Sequence, residues 1–299
     1  MHQLAAPGAL RPRLVAGLPK RPVVLIGVHT PEFAFEKRTA NVRRAVQELD
    51  IGFPVALDND FAVWREIVEN GIAHGCIGVK FYPPSGYAPF DEAASDFPNA
   101  NTRNFFLYCE ERRIPVFTHC TQGGFEAIGG YGIRFGHPRL WGHVLARVPN
   151  LRLCFGHAGG EPGWFKNVKD NDPNFPAEVL KLCASYPNVY AEAGYLEDVL
   201  DSDDHPAFLG RLQTALPSVG NKLMYGSDWH MIHRMKKHAG YLTAWKNMLS
   251  TPEWDSFRDN FFYRNAIRWL DLPSHIARQE HAGRIVAPEA RAHWQSLMA

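Results

Sequence analysis

The sequence predicts an α/β fold built on a parallel sheet, of the kind found in a partial or distorted (β/α)8 barrel. Short apolar runs typical of strands alternate with stretches of helical periodicity over residues 77–250. Five consecutive strand–helix units can be counted there, and such alternation favours parallel strands joined by right-handed crossovers. Polar residues directly follow several of the strands, at the sheet edge where α/β proteins carry their chemistry.

Composition and charge limit the kinds of partner. The chain has 299 residues, of which 45% are hydrophobic and 21% charged, and these are ordinary globular values. The formal net charge is +1 and there is no long basic run, so we expect neither nucleic acid nor an anionic membrane surface as a partner. No apolar run approaches the roughly 20 residues that a membrane helix needs. A small-molecule substrate is the expected partner.

The cysteines form no Cys-x-x-Cys pair, and their number is odd: Cys76, Cys109, Cys120, Cys154 and Cys183. This argues against a disulfide framework or a closed cysteine zinc site and indicates a reducing, cytoplasmic compartment. Residues 1–20 lack a continuous apolar segment, so we expect a disordered leader there and not a signal peptide.

The first predicted elements follow the leader. The β-branched run at residues 21–28 is typical of a buried strand. Apolar residues at helical spacing predict a helix over 39–49, and a short apolar run predicts a strand over 53–57. A further helix is expected to begin near Phe61.

Residues 23–64 (VVLIGVHTPEFAFEKRTANVRRAVQELDIGFPVALDNDFAVW) resemble the middle of thioredoxin-like thiol oxidoreductases of the cytochrome-biogenesis and peroxiredoxin-related type. The chemistry of that family resides in a Cys-x-x-Cys before this strand, but no cysteine precedes Cys76 here. The resemblance therefore implies a fold fragment, residues 21–66, that lacks the redox site. A thiol-redox function is the weakest of the alternatives.

The remaining elements predicted from apolar runs and helical periodicity are strands at 77–81, 114–119, 151–156, 187–194 and 222–228, and helices near 102–112, 138–147, 176–185, 205–216, 238–249, 252–271 and after 273. Residues 121–137 contain six glycines and are predicted to form a long loop. Such loops are usually functional or mobile. Arg134 and His137 in this segment are candidates for contacting an anionic substrate.

Three strand ends carry metal-ligating residue types. His119 and His157 directly follow apolar strands, and Asp228 ends a third. A single histidine at such a position is more often a hydrogen-bonded core or rim residue, but three such residues at successive strand ends indicate a common site. Neutral imidazoles and a carboxylate together suit Zn²⁺ or a similar divalent ion. Alternatively, Asp228 caps the helix that follows its strand.

The motifs GVKFYPPSGY, IPVFTHC, LRLCFGHAGG, NVYAEAGY, LMYGSDWH and FYRNAIRWLDL, over about residues 68–272, resemble the amidohydrolase-related family of metal-dependent hydrolases and decarboxylases. The resemblance implies that His119 is a metal ligand and that Asp228 is a ligand or a water-orienting base. His157 would be a second ligand or the acid/base residue. The family's His-x-His pair on the first barrel strand is missing from this sequence, which leaves two or three ligands.

The same resemblance implies several substrate-binding residues. Lys80 would bind a substrate carboxylate or, once carboxylated, bridge metal ions, although a solvated lysine is an equal alternative. Glu192 lies at the end of its predicted strand, where it would orient a ligand or play a structural part. Tyr82, Tyr87 and Trp229 would line a pocket for a ring-shaped substrate, or simply pack.

The sequence thus predicts a metal-dependent hydrolase that acts on a small carbonyl or carboxylate compound through a metal-activated water. A decarboxylase is a weaker alternative. Another is a catalytically impaired fusion protein with a binding or structural role, or none, in which residues 67–272 form a barrel without its opening strands. Residues 273–299 would be a helical tail. An unclosed barrel exposes sheet edges, so a homo-oligomer is also possible.

Overall fold

The computed structural model describes residues 23–27, 61–73, 76–126, 128–169, 172–235, 238–281, 292 and 296. The helix predicted at 39–49 and the strand predicted at 53–57 lie outside these residues. So do the predicted leader and most of the segment with thioredoxin-like sequence.

The described strands form one six-stranded sheet in chain order, β1 to β6. Their bounds are Val23–Gly27, Cys76–Phe81, Val116–His119, Leu153–Gly156, Val189–Glu192 and Leu223–Met224. Strands β2 to β6 are parallel, as predicted, whereas β1 pairs antiparallel with β2. Within the described residues no ladder joins β6 to β1.

Helices connect the strands. In chain order the described helices are α1 Phe61–Ala73, α2 Ala100–Glu111, α3 Tyr131–Gly136, α4 Pro138–Leu145, α5 Phe175–Ser185, α6 His205–Val219, α7 Trp229–Ile232, α8 Tyr241–Met248, α9 Asp255–Asp259, α10 Asn265–Leu270 and α11 Leu272–His281. Side-chain caps explain two of the starts. Asn99 accepts the backbone N–H of Thr102 before α2, and Asn174 accepts that of Ala177 before α5.

Three predicted elements differ from those observed. The glycine-rich segment 121–137 is not loop throughout, because its second half forms α3. The helix predicted at 252–271 is divided into shorter pieces, with a π-helical turn at Asn260–Arg264 between α9 and α10. Strand β6 has only two residues, so Asp228 lies beyond the strand and not at its last position.

The core lies between the sheet and its helices and is rich in aromatic side chains. Trp141 is fully buried, and its ring centroid lies 5.4 Å from that of Phe81 and 5.3 Å from that of Phe106. Edge-to-face contacts of this kind stabilise a core beyond the burial of apolar area. All five cysteines are buried thiols.

Helix α10 is attached to the sheet by buried polar side chains. The Asn265 side-chain amide donates to the carbonyl of Leu223 in β6 at 2.7 Å. The Arg152 guanidinium, just before β4, donates to the carbonyl of Trp269 at 2.8 Å. These bonds fix the C-terminal helices against the strands that carry the site.

A bilayer-crossing helix needs both length and apolarity, and none of the described helices has the two together.

Candidate active site

The parallel strands bring five of the predicted site residues to one edge of the sheet. Lys80 is the penultimate residue of β2, His119 ends β3, His157 follows β4 and Glu192 ends β5, while Asp228 immediately precedes α7. All five line one cavity of about 650 Å³. Tyr82, a sixth predicted site residue, also lines it. The other lining residues are Phe117, Thr121, Gln122, Gly123, Gly124, Phe125, Gly159, Gly160, Glu161, Pro162, Tyr195, Glu197 and Met231.

His119 and His157 contact each other through ring nitrogens. The Nε2 atom of His157 lies 3.0 Å from Nδ1 of His119. The other nitrogen of each ring faces a backbone carbonyl: His119 Nε2 lies 2.9 Å from Gly123 O, and His157 Nδ1 lies 2.9 Å from Gly194 O. A carbonyl only accepts hydrogen bonds, so these two nitrogens carry the protons. In the neutral rings, the two nitrogens that face each other therefore both present lone pairs.

Burial keeps both rings neutral. For His119, desolvation lowers the pKa well below the usual value, and the charges of His157 and Lys80 lower it further. For His157, desolvation followed by the charge of Lys80 lowers the pKa to about 4, against the opposing effects of the Gly194 hydrogen bond and Asp228. Two lone pairs at this distance repel unless a shared proton or a cation lies between them. Since protonation is disfavoured, the donor set suits a metal ion.

The pair falls short of a complete metal site. Among the described residues, no group of three or more His, Cys, Asp or Glu side chains is arranged to hold a metal ion. Asp228 lines the same cavity but its carboxylate is not part of a three-donor cluster. The structure therefore brings together two of the three predicted ligands and places the third nearby.

Lys80 presents a cation to the cavity. Its Nζ lies 4.0 Å from the centroid of the Phe117 ring, a cation–π distance. Desolvation lowers the pKa of Lys80 to about 8, while the charges of Glu192 and Asp228 oppose that shift. Within the described residues, Nζ makes no hydrogen bond or ion pair. The ammonium group is thus available to an anionic part of a ligand.

Glu192 supports the neighbouring strand end. Its Oε2 accepts the backbone N–H of His157 at 3.2 Å. Desolvation raises the pKa of Glu192, whereas the His157 hydrogen bond and the charge of Lys80 lower it. The carboxylate packs against Gly194 and Gly226, and a side chain at either position would overlap it. Glu192 therefore positions His157 and also lines the cavity.

The backbone at the site lies partly in the left-handed region. Non-glycine residues with positive φ include His157 at 62°, Ala158 at 46°, Tyr195 at 55° and Asp228 at 44°. Such conformations cost on the order of 1–2 kcal/mol for a residue with a β-carbon. Strain of this kind gathers at functional sites, which supports assigning a function to this cavity.

The aromatic candidates have different positions. The Tyr82 ring centroid lies 4.7 Å from that of His119, and the Tyr82 hydroxyl accepts the backbone N–H of Phe125 at 2.8 Å. Tyr87 packs at the edge of the core. Trp229 begins α7, next to Asp228, and its side chain lies outside the described part.

Arg134 and His137 are not among the residues that line the cavity. His137 Nδ1 accepts the backbone N–H of Arg139 at 3.2 Å and so caps α4. The Arg134 guanidinium lies over the ring of Phe135, 5.0 Å from its centroid. The structure gives both side chains local roles near α3 and α4.

Of the cavity residues that the sequence analysis did not name, three contact the ionisable side chains. Phe117 lies two residues before the end of β3 and faces Lys80. The alternation of side chains along a strand could have indicated that position. Thr121 follows His119 by two residues and lies 3.1 Å from its Nε2. Gly123 supplies a backbone carbonyl, and a backbone group leaves no sequence signal.

The fold and the site together define an α/β protein whose ionisable side chains gather at the carboxyl edge of a parallel sheet. The amidohydrolase family model matches residues 9–272. The chain therefore belongs to the amidohydrolase family, which supports a hydrolase.

Solved structures to which the chain is similar overall include two of an amidohydrolase from Burkholderia multivorans. The form with bound HEPES is 18% identical, with a TM-score of 0.49 and coverage of 80% of each chain. The form with bound Zn is 16% identical, with a TM-score of 0.40 and coverage of 58% of each chain. A dihydroorotase from Campylobacter jejuni is 14% identical, with a TM-score of 0.42 and coverage of 72% of this chain and 62% of that one.

Curated relatives match only a short segment. Protein DipZ of Mycobacterium tuberculosis and that of Mycobacterium bovis are each 52% identical to this chain over 42 residues. The match covers 14% of this chain and only 6% of the length of DipZ. The thioredoxin-like character of the N-terminal segment remains a prediction.

Proposed function

We propose that this protein is a metal-dependent hydrolase that acts on a small carbonyl or carboxylate compound in the described cavity. The observation that carries the proposal is the pair of facing lone pairs, His119 Nδ1 and His157 Nε2, at 3.0 Å. His119 and His157 would hold a divalent metal, zinc by preference, and Asp228 would complete the donor set. Bound there, the metal would supply Lewis acidity toward the substrate carbonyl and toward water.

The chain's own residues have separate tasks in this proposal. Asp228 accepts a proton from the attacking water and returns it to the leaving group, which is general base and then general acid catalysis. Lys80 Nζ binds a carboxylate of the substrate, because it faces the cavity without an ion-pair partner among the described residues. Glu192 holds the backbone N–H of His157 and so keeps that ring in place. Trp229 is proposed as a pocket residue from its position beside Asp228.

A second candidate is a binding protein without catalytic activity. It is favoured by the absence of a three-donor group from the described residues. The hydrolase requires both bound metal and catalysed attack by water, whereas the binding protein requires neither, so measuring both separates the candidates.

The test is metal analysis of full-length protein purified without chelator, together with hydrolysis of ester and amide probes. We expect close to one equivalent of metal and a measurable rate. His119→Ala should lose the metal, and Asp228→Asn should lower kcat by about 10²–10⁴-fold. His205→Ala is the matched control, because His205 Nε2 bonds the carbonyl of Val199 and the residue does not line the cavity.

The hydrolase proposal is wrong if purified protein holds no metal and added Zn²⁺ changes neither the unfolding midpoint nor the hydrolysis of either probe. Metal without hydrolysis would favour the binding protein.

A further inference from the structure

The hydroxyl of Tyr82 is engaged by the main chain. It accepts the backbone N–H of Phe125 at 2.8 Å, and this bond ties the start of the glycine-rich segment to the end of β2. The Tyr82 ring also packs on the ring of His119, with centroids 4.7 Å apart. Tyr82 therefore contacts both His119 and the segment that follows it.

The same segment fixes the proton of His119. The carbonyl of Gly123, two residues before Phe125, lies 2.9 Å from His119 Nε2. Thr121 Oγ1 lies 3.1 Å from that nitrogen and 3.1 Å from the Gly123 carbonyl, to which it donates its own proton. Both oxygens therefore accept from Nε2, so the local network requires the Nε2–H tautomer.

Gly124 makes this close arrangement possible. Its φ is 132°, a value that residues with a β-carbon rarely adopt. A β-carbon there would lie 2.7 Å from the Tyr82 hydroxyl and 2.8 Å from His119 Nε2. Only glycine fits at position 124, because a β-carbon would overlap both Tyr82 and His119.

The alternative tautomer has a clear consequence. With the proton on Nδ1, His119 would donate to His157 Nε2 at the observed 3.0 Å separation. That hydrogen bond would take up the lone pair of His157 Nε2, and the lone pair of His119 would lie on Nε2, which faces Gly123 and not His157. The two rings would then no longer present a pair of converging donors to a metal ion. Contacts elsewhere must therefore hold the proton on Nε2.

We propose that Tyr82 is a positioning residue: by holding Phe125 N–H, it keeps the Gly123 carbonyl on His119 Nε2 and so directs the His119 Nδ1 lone pair toward His157. The tautomer part of this inference stands on hydrogen-bond geometry alone, whereas its consequence for metal binding rests on the proposed function. Tyr82 acts through His119 and needs no contact with substrate.

The test compares the wild type with Tyr82→Phe, which keeps the ring and removes the hydroxyl acceptor. Long-range ¹H–¹⁵N spectra of ring-labelled histidine report the tautomer of His119 in the metal-free protein. We expect the Nε2–H form in the wild type and a mixture, or the Nδ1–H form, in Tyr82→Phe. Affinity for Zn²⁺, measured by competition with a chromogenic chelator, should fall about 10–100-fold, as for other groups that orient metal ligands. Tyr131→Phe in the same segment is the control and should change neither reading.

A second pair of variants applies if Tyr82→Phe does not fold. Gly124→Ala places a methyl group between Tyr82 and His119 and should give the same loss of tautomer and affinity. Gly129→Ala, where no atom lies near the added carbon, should not. Retention of the Nε2–H form with Zn²⁺ affinity within twofold of wild type in the folded Tyr82→Phe or Gly124→Ala variant would overturn the inference. If the wild type holds the Nε2–H form, the variants lose it and no protein binds Zn²⁺, the inference stands and the proposed function fails.

Discussion

The carboxylate of Glu192 occupies the space that a β-carbon at position 226 would require. Glu192 ends β5 and Gly226 lies two residues beyond β6, so these two strand ends come together only because residue 226 is glycine. The same carboxylate accepts the backbone N–H of His157. The Glu192 side chain therefore sets the spacing between His157 and the segment that leads to Asp228.

Gly226→Ala is expected to destabilise the protein by about 1–3 kcal/mol, because the added methyl overpacks a buried contact. Urea unfolding measures the change. Gly210→Ala, in α6 with open space around the added carbon, is the matched control and should be neutral or stabilising by up to about 1 kcal/mol. Equal stability of the two variants would show that Glu192 is free to move away.

The stability contributed by Lys80 should rise with pH between about 8 and 10.5. Burial lowers the pKa of Lys80 to about 8 from 10.5, so in this window the unfolded chain holds a proton that the folded chain has lost. Raising the pH then favours the folded state, by at most about 1.4 kcal/mol per pH unit. The free energy of unfolding of the wild type should therefore increase relative to that of Lys80→Met from pH 8 to pH 10.

Lys181→Met is the control for loss of a surface lysine, since the Lys181 side chain is 70% exposed and its ammonium group pairs with Glu178 on α5. A constant difference between wild type and Lys80→Met over this range would show that Lys80 is solvated.

Lys80→Gln should raise KM for a substrate with a free carboxylate more than for a neutral one. If Lys80 binds a carboxylate, the variant loses a charge-assisted hydrogen bond worth about 1.5–3 kcal/mol, which corresponds to roughly a 10–100-fold rise in KM. Steady-state kinetics would compare an ester probe with a free carboxylate and its neutral analogue, for which little change is expected. Arg134→Gln, which changes a residue that does not line the cavity, should affect neither. A parallel rise for both probes would contradict carboxylate recognition.

Asn265→Leu should destabilise the fold by about 1–3 kcal/mol. The amide of Asn265 donates to the buried carbonyl of Leu223, and a leucine of similar size leaves that carbonyl without its donor. Chemical denaturation measures the effect. In Asn260→Leu the lost amide bonds lie at the exposed start of the π-helical turn, so a smaller change is expected. A change near zero for Asn265→Leu would mean that water replaces the amide.

The strand positions of the main site residues were predictable because apolar runs with a polar residue at the end are typical of parallel strands. Lys80, His119, His157 and Glu192 each lie at a strand end as predicted. Asp228 lies at the same edge, as predicted, but its strand is shorter than predicted and ends at Met224. The backbone leaves the strand after Met224 and takes a positive φ at Asp228, and the hydrophobic pattern shows neither feature.

Tertiary contacts decided the features that could not be predicted. The antiparallel pairing of β1 depends on the direction of the chain before β2, and strand sequence does not encode direction. The tautomers of His119 and His157 depend on the carbonyls of Gly123 and Gly194, which any residue would supply. The glycines of the EAGY and YGSD motifs were the one available signal that side chains pack closely around Glu192. The predicted domain boundaries remain predictions.

The buried cysteines allow unfolding to be followed by the chemical labelling of their thiols. Burial raises the pKa of Cys109, Cys120, Cys154 and Cys183, so these thiols remain protonated and shielded in the native state. The thiolate is the reactive form, and it becomes accessible only when the chain opens. A chromogenic disulfide reagent should therefore label the protein at the rate of opening, and progressive labelling would show in which order the sheet and its helices come apart.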